Sequence, residues 1–154
     1  MKIVRTLSAM LVPAFVVLAF TGCTDTQARL HEAHAKVAAT LPAPHFEDLV
    51  TESVAIEGDR LVLLIRSPEG NAAKTRKAPG FETLKESEQY ALRELCAQPA
   101  ITPLIDTDAI LVRRFVDRHG AVFFDAELPA RTCLTPPAVG PGPPREIPLQ
   151  SPRH

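Results

Sequence analysis

The sequence predicts an α+β fold: a mainly antiparallel sheet built from two β-hairpins, packed against two or more helices, with one disulfide. Three observations carry that prediction. The stretches 49–65 and 110–128 alternate or run apolar around short turns holding Gly and Asp, the pattern of hairpins. Two others, 30–41 and 83–96, repeat apolar residues at helical spacing. Of three cysteines, Cys23 follows an N-terminal apolar run, leaving Cys96 and Cys133 as an even pair.

The chain opens with Lys2 and Arg5, an apolar run from Leu7 to Phe20, the small pair Thr21-Gly22, and then Cys23. The run is too short for a membrane span, which needs about 20 residues, and its charge and flanks are those of an export signal. With cysteine directly after it, the stretch resembles a bacterial lipoprotein signal, with Phe20 standing where Leu is usual. The resemblance implies that residues 1–22 are removed and that Cys23 is the lipidation site. Each buried methylene of a lipid contributes about 0.8 kcal/mol, and two or more chains anchor stably. Lipoprotein sorting reads the residue after the cysteine. Thr24, rather than Asp, implies the outer membrane, on its periplasmic face.

Loss of Lys2 and Arg5 moves the formal charge from −1 to −3, which excludes the basic balance of a nucleic-acid binder. Residues 23–29 are polar and read as a lipidated tether. Residues 30–134 suit a single domain with one modest core. Residues 135–154 hold seven prolines from Pro136 to Pro152 and read as a Pro-rich disordered tail.

Within the domain, Leu30, Ala33, Val37 and Leu41 share a helical face, and Pro42 and Pro44 end it. Leu49 to Ile56 is rich in β-branched residues, with Val50, Val54 and Ile56 expected on one face. Glu57-Gly58-Asp59-Arg60 is turn chemistry, and Leu61–Ile65 is apolar throughout, as a strand covered on both faces should be. Residues 66–80 follow as a basic loop with Lys74, Arg76 and Lys77. It reads as solvated, with contact to anionic headgroups as the alternative. Thr83-Leu84-Lys85-Glu86 has capping-box spacing and opens a second helix, with Leu84, Ala91, Leu92 and Leu95 on its apolar side and Cys96 in its last turn.

The last hairpin turns at Asp117-Arg118-His119-Gly120, a type I turn followed by a left-handed glycine. Asp117 then faces Ala121, and paired positions sum to a constant: Val116 with Val122, Arg114 with Phe124, Val112 with Ala126, Ile110 with Leu128. That face is apolar apart from Arg114 and is expected on the core. The other face pairs Phe115 with Phe123 and Arg113 with Asp125, with Leu111 further along. Two readings stay open for it: a surface covered by the chain's own helices, or a partner-binding groove lined by Leu111, Phe115 and Phe123.

An exported chain meets an oxidising compartment, so Cys96 and Cys133 are expected as a disulfide, closing a loop of about 40 residues and stabilising by about 4 kcal/mol. No nucleophile elbow, phosphate loop, dinucleotide fingerprint or zinc-cysteine spacing occurs. His31 and His34 are spaced i, i+3 and miss the i, i+4 metalloprotease pattern, so they read as helix surface. No catalytic residue, metal, cofactor or small-molecule substrate is expected.

The layout resembles a known family. A lipidated Cys, a short helix ending in Leu41-Pro42, two strands, a helix ending in YALRELC (Tyr90–Cys96), and the hairpin LVRRFVDRHGAVFFDAELPARTC closing on Cys133 are similar to the β-rich, single-disulfide pilotins of type II secretion. The likeness covers roughly residues 30–133. It implies an adaptor that binds a helical C-terminal segment of a secretin and guides it to the outer membrane, with the lipid supplying the membrane contact. The rival reading is a periplasmic lipoprotein of another binding class, such as a toxin immunity or inhibitor protein.

Overall fold

The computed structural model describes residues 21–135; the expected signal through Phe20 and the tail from Pro136 lie outside the described residues. Five strands form one sheet in sequential order: β1 (Ala43–Pro44), β2 (Val50–Glu57), β3 (Arg60–Ser67), β4 (Ile110–Asp117) and β5 (Val122–Pro129). The two expected hairpins are β2–β3 and β4–β5, both antiparallel, and they join through a parallel β3–β4 pairing. Parallel neighbours need a long crossover. Here the crossover holds α2 (Ala72–Thr75), α3 (Phe81–Ala91) and two 3₁₀ turns, Leu92–Ala97 and Thr102–Leu104.

α1 spans Thr21–Ala38, so residues expected as a tether are helical. Leu30, Ala33 and Val37 are its buried stripe. It packs along β2 and against the turn at Thr102–Leu104. The cause of the longer helix is tertiary. Gln27 donates to the Gly58 carbonyl at 2.8 Å, and Arg29 pairs with Asp25 and Asp106, so polar residues hold this part of α1 in place. α3 starts earlier than its expected capping box: Gly80, at φ 83°, is the N-cap, and Thr83 lies inside the helix. The loop 66–80 contains α2, whose N-cap Asn71 accepts from the Lys74 amide at 2.9 Å.

The core lies between one sheet face and the helices. Leu61, Leu63 and Ile65 of β3 and Leu111 and Phe115 of β4 meet Leu30, Val37, Leu92, Leu95, Ile101 and Leu104 there. The turn of the last hairpin is as expected: Gly120 has φ 82° and donates to the Asp117 carbonyl, and Asp117 Oδ1 accepts from the His119 and Ala121 amides. Beyond the turn the expected register fails. Val116 faces Val122, but Phe115 faces Phe124, Arg114 faces Asp125, Arg113 faces Ala126 and Leu111 faces Leu128. Phe123 is the extra residue of a bulge. Phe124, Ala126 and Leu128 keep the core side expected of them, but the one-residue shift sets Leu111, Arg113 and Phe115 of β4 beside them, in place of the expected Ile110, Val112, Arg114 and Val116. The core side of the hairpin is therefore Leu111, Arg113, Phe115, Phe124, Ala126 and Leu128.

A second bulge at Glu52 separates Val50 from Val54 and Ile56, which alone take the core side. On the opposite face Val62, Val112 and Val116 are also buried. The same face carries arginines in ion pairs: Arg60 with Glu127, Arg66 with Glu52, and Arg114 with Glu57 and Asp125. Both strand edges are occupied by helix side chains. His34 of α1 reaches the Val54 carbonyl at 3.1 Å, and the Gln89 amide of α3 both donates to and accepts from the Glu127 backbone.

The Cys96–Cys133 disulfide forms, with the Cα atoms 5.3 Å apart across a sequence separation of 37. It ties the turn after α3 to the 3₁₀ turn Ala130–Leu134 that follows β5.

Candidate functional site

The bulge that moves the register also builds a cavity. Phe115, Phe123 and Phe124 come together at the end of the core face nearest the hairpin turn. They line a cavity of about 120 Å³ with Leu49, Ser67, Gly70, Thr75 and Leu84. Phe115 and Phe124 stack with ring centres 4.6 Å apart, and Phe81 at the start of α3 meets Phe124 edge-on at 5.8 Å. One wall is the segment before β2, through Leu49. The facing wall is α3, through Leu84, and the loop carrying α2 closes the end.

Gly70 is the tightest point of that loop. A Cβ there would lie 2.6 Å from the Phe123 ring and 2.6 Å from the Ser67 hydroxyl. Glycine thus lets the loop lie directly on Phe123 and fix its ring.

The three expected partner-binding residues part company here. Phe115 and Phe123 line the cavity. Leu111 has no exposed surface and packs under the helices, four residues from Phe115 along β4. It is a core residue, because α1 and the turn at Thr102–Leu104 cover that end of the sheet. Sequence reasoning did not place Phe124 here, because only the bulge sets it opposite Phe115, nor Leu84, read on the apolar side of its helix and 44% exposed. Phe46, three residues before Leu49, is 62% exposed, so the segment that supplies this wall also carries exposed apolar surface.

Beside the aromatic floor sits a buried ionic cluster. Arg113 points into the core and stands 3.6 Å from Glu88 of α3, and His45 stands 3.5 Å from the same carboxylate oxygen. That oxygen is buried without a hydrogen bond. His45 also meets Phe115 edge-on at 5.7 Å. Burial holds the Arg113 guanidinium below its usual range, against the pull of Glu88 and Glu94. Burial, helped by the Arg113 charge, also lowers the His45 pKa, against the opposing pull of Glu88.

A larger hollow of about 490 Å³ lies between α1 and the turn at Thr102–Leu104. Its cations are already matched: Arg29 with Asp25 and Asp106, Lys36 with Glu32. It presents no unmet chemistry. Among the described residues no group of three His, Cys, Asp or Glu side chains could hold a metal. His31 is exposed while His34 turns to β2. No described helix is long and apolar enough to cross a membrane.

No protein-family model matches the chain, and no curated protein matches it in sequence. Among solved structures, a protein of Pseudomonas aeruginosa described as secreted is similar at a TM-score of 0.54 and 14% identity, over 75% of this chain and 98% of that one. A pilotin of the Vibrio vulnificus type 2 secretion system is similar at a TM-score of 0.49 and 12% identity, over 71% of this chain and 96% of that one. At 14% identity the first of these likenesses is one of fold alone.

Proposed function

We propose that this chain is a non-catalytic, lipid-anchored adaptor of the pilotin type, which receives a helical segment of a secretin in the groove floored by Phe115, Phe123 and Phe124. The observation that carries the reading is the size and lining of that groove. Small-molecule sites run to about 300–1,000 Å³, far more than the 120 Å³ found here. A cavity this small, aromatic and opening between Leu49 and Leu84 suits one apolar anchor residue of a peptide helix, with neighbouring turns lying on the exposed surface of Phe46 and Leu84. The order of elements in the sequence supports the same reading. Cys23 stands in the first turns of α1, so a lipid there would tether the domain directly through a helix.

The test is calorimetric titration of the full-length protein, held in detergent, with the C-terminal peptide of the secretin encoded by the same genome. Binding accompanied by a gain of peptide helix in circular dichroism is expected. Phe123→Ala should weaken it by at least tenfold. Leu111→Asn is unsuited to mapping, because it strikes the core. No heat and no helix gain at high micromolar peptide would refute the reading.

A further inference from the structure

The end of the groove is electrostatically unbalanced. The loop that closes it presents Lys74, Arg76 and Lys77, all exposed. Among the described residues none of the three pairs with a carboxylate, a condition shared only by Arg93 and Arg118, whereas Arg29, Lys36, Arg60, Arg66, Lys85, Arg113, Arg114 and Arg131 all pair. Glu69 is the one carboxylate of residues 67–80. The segment is not loose on the body. The Ala72 amide donates to Asp117 at 3.0 Å, and Arg76 reaches the Val122 carbonyl at 3.3 Å, so the three cations are held at one lip of the cavity that Gly70 and Thr75 line. The lip beside Leu49 carries the opposite sign, with Glu47 and Asp48 exposed.

We infer that the segment bound in this groove carries carboxylates where it passes over α2, and that these, paired with Lys74, Arg76 and Lys77, set its direction in the groove. The inference rests on the groove being the partner site. Carboxylates laid the other way would meet Glu47 and Asp48, so one charge pattern both attracts and orients.

The position of the lip favours a peptide over a lipid surface. α1 starts beside the β2–β3 turn, where Gln27 holds Gly58. The basic lip lies past the other end of β3, and the strand from Arg60 to Ser67 separates them by about 23 Å at about 3.3 Å per residue. A chain tethered at the start of α1 therefore carries this lip away from its own anchor.

The experiment compares two synthetic amphipathic helices with one shared apolar face, one flanked at one end by glutamates and the other by uncharged glutamines. Each is titrated into the full-length protein and into a K74E/R76E/K77E variant, at low and at high salt. The same proteins are mixed with phosphatidylglycerol–phosphatidylethanolamine vesicles. Exposed pairs are individually weak, so three of them should favour the glutamate peptide by about tenfold at low salt. The preference should shrink as salt screens it and reverse in the variant. Equal binding of both peptides overturns the charge inference and leaves the groove standing. Binding of neither peptide overturns the groove reading as well. Vesicle binding that needs the three cations, without discrimination between peptides, assigns the lip to a membrane surface and overturns the inference.

Discussion

Arg113 and Arg114 are adjacent in sequence, yet the bulge at Phe123 predicts very different costs for disturbing them. The Arg113 side chain is 7% exposed and its partner Glu88 is 13% exposed. Glu88→Gln leaves a guanidinium in the core without its paired carboxylate, with only the pull of Glu94 remaining. Breaking a buried pair from one side costs about 3–5 kcal/mol. The 3.6 Å separation and the residual exposure of both partners place this pair at the lower end, about 3 kcal/mol. At about 4 °C per kcal/mol for a domain of this size, that is a fall of about 12 °C in Tm. Arg114 and Asp125 are each 25% exposed and share bonds at 3.0 and 3.2 Å, with Glu57 also at 2.7 Å from the guanidinium. Asp125→Asn leaves Arg114 with Glu57 and with water, and the change should stay within about 1 kcal/mol.

Removing both buried charges together, as Glu88→Leu with Arg113→Met, should recover most of the loss. The desolvation cost of two ions disappears with their attraction. Thermal and urea melts of the single and double variants check this. If Asp125→Asn costs as much as Glu88→Gln, or if Glu88→Gln costs under 1 kcal/mol, Arg113 is not the buried arginine and the register is wrong.

Two further expectations follow from the fold. Cys96→Ser should lower stability by about 4 kcal/mol through the loop that Cys133 otherwise closes. The oxidised wild type should lose a similar amount on full reduction, and a melting point unchanged by either treatment would refute the estimate. The second concerns pH: burial first, and then the Arg113 charge, hold the His45 pKa below 6.5, so the unfolded chain binds the proton more readily. That contribution is fully present above about pH 6.5 and is lost as pH falls toward the lowered folded value. Tm should therefore drop as pH falls from 7 toward 5, less steeply in His45→Gln. Equal slopes for the two proteins would show that His45 does not titrate with folding.

Much of the architecture was legible in the residues. The glycine after Asp117-Arg118-His119 demanded a left-handed turn, and only one local structure meets that demand. The alternation on either side of it, and around Glu57-Gly58-Asp59-Arg60, marked four strands. With Cys23 set apart by the apolar run before it, Cys96 and Cys133 were the even pair expected to join, and they form the disulfide. The helix beginning near Thr83 was legible in kind but not in its start, since Gly80 caps it through backbone conformation rather than a side chain.

What the sequence could not decide is which way the faces point. Alternation fixes two sets of residues along a strand but not where an extra residue enters, and one bulge exchanges the sets. Both sets of β4 are apolar enough to be buried, and both are: Leu111 and Phe115 under helices, Val112 and Val116 on the face of Arg60, Arg66 and Arg114. Only the packed structure distinguishes them, because it depends on α1 reaching back to Gly58 and on Gly70 lying against Phe123. The sequence paired Phe115 with Phe123 on one strand face and left open whether helices or a partner cover it; the structure buries Phe115 and leaves Phe123 partly exposed at the cavity. It took the tertiary fold to add Phe124, remove Leu111, and place Leu49 and Leu84 around them, since those walls come from segments tens of residues away.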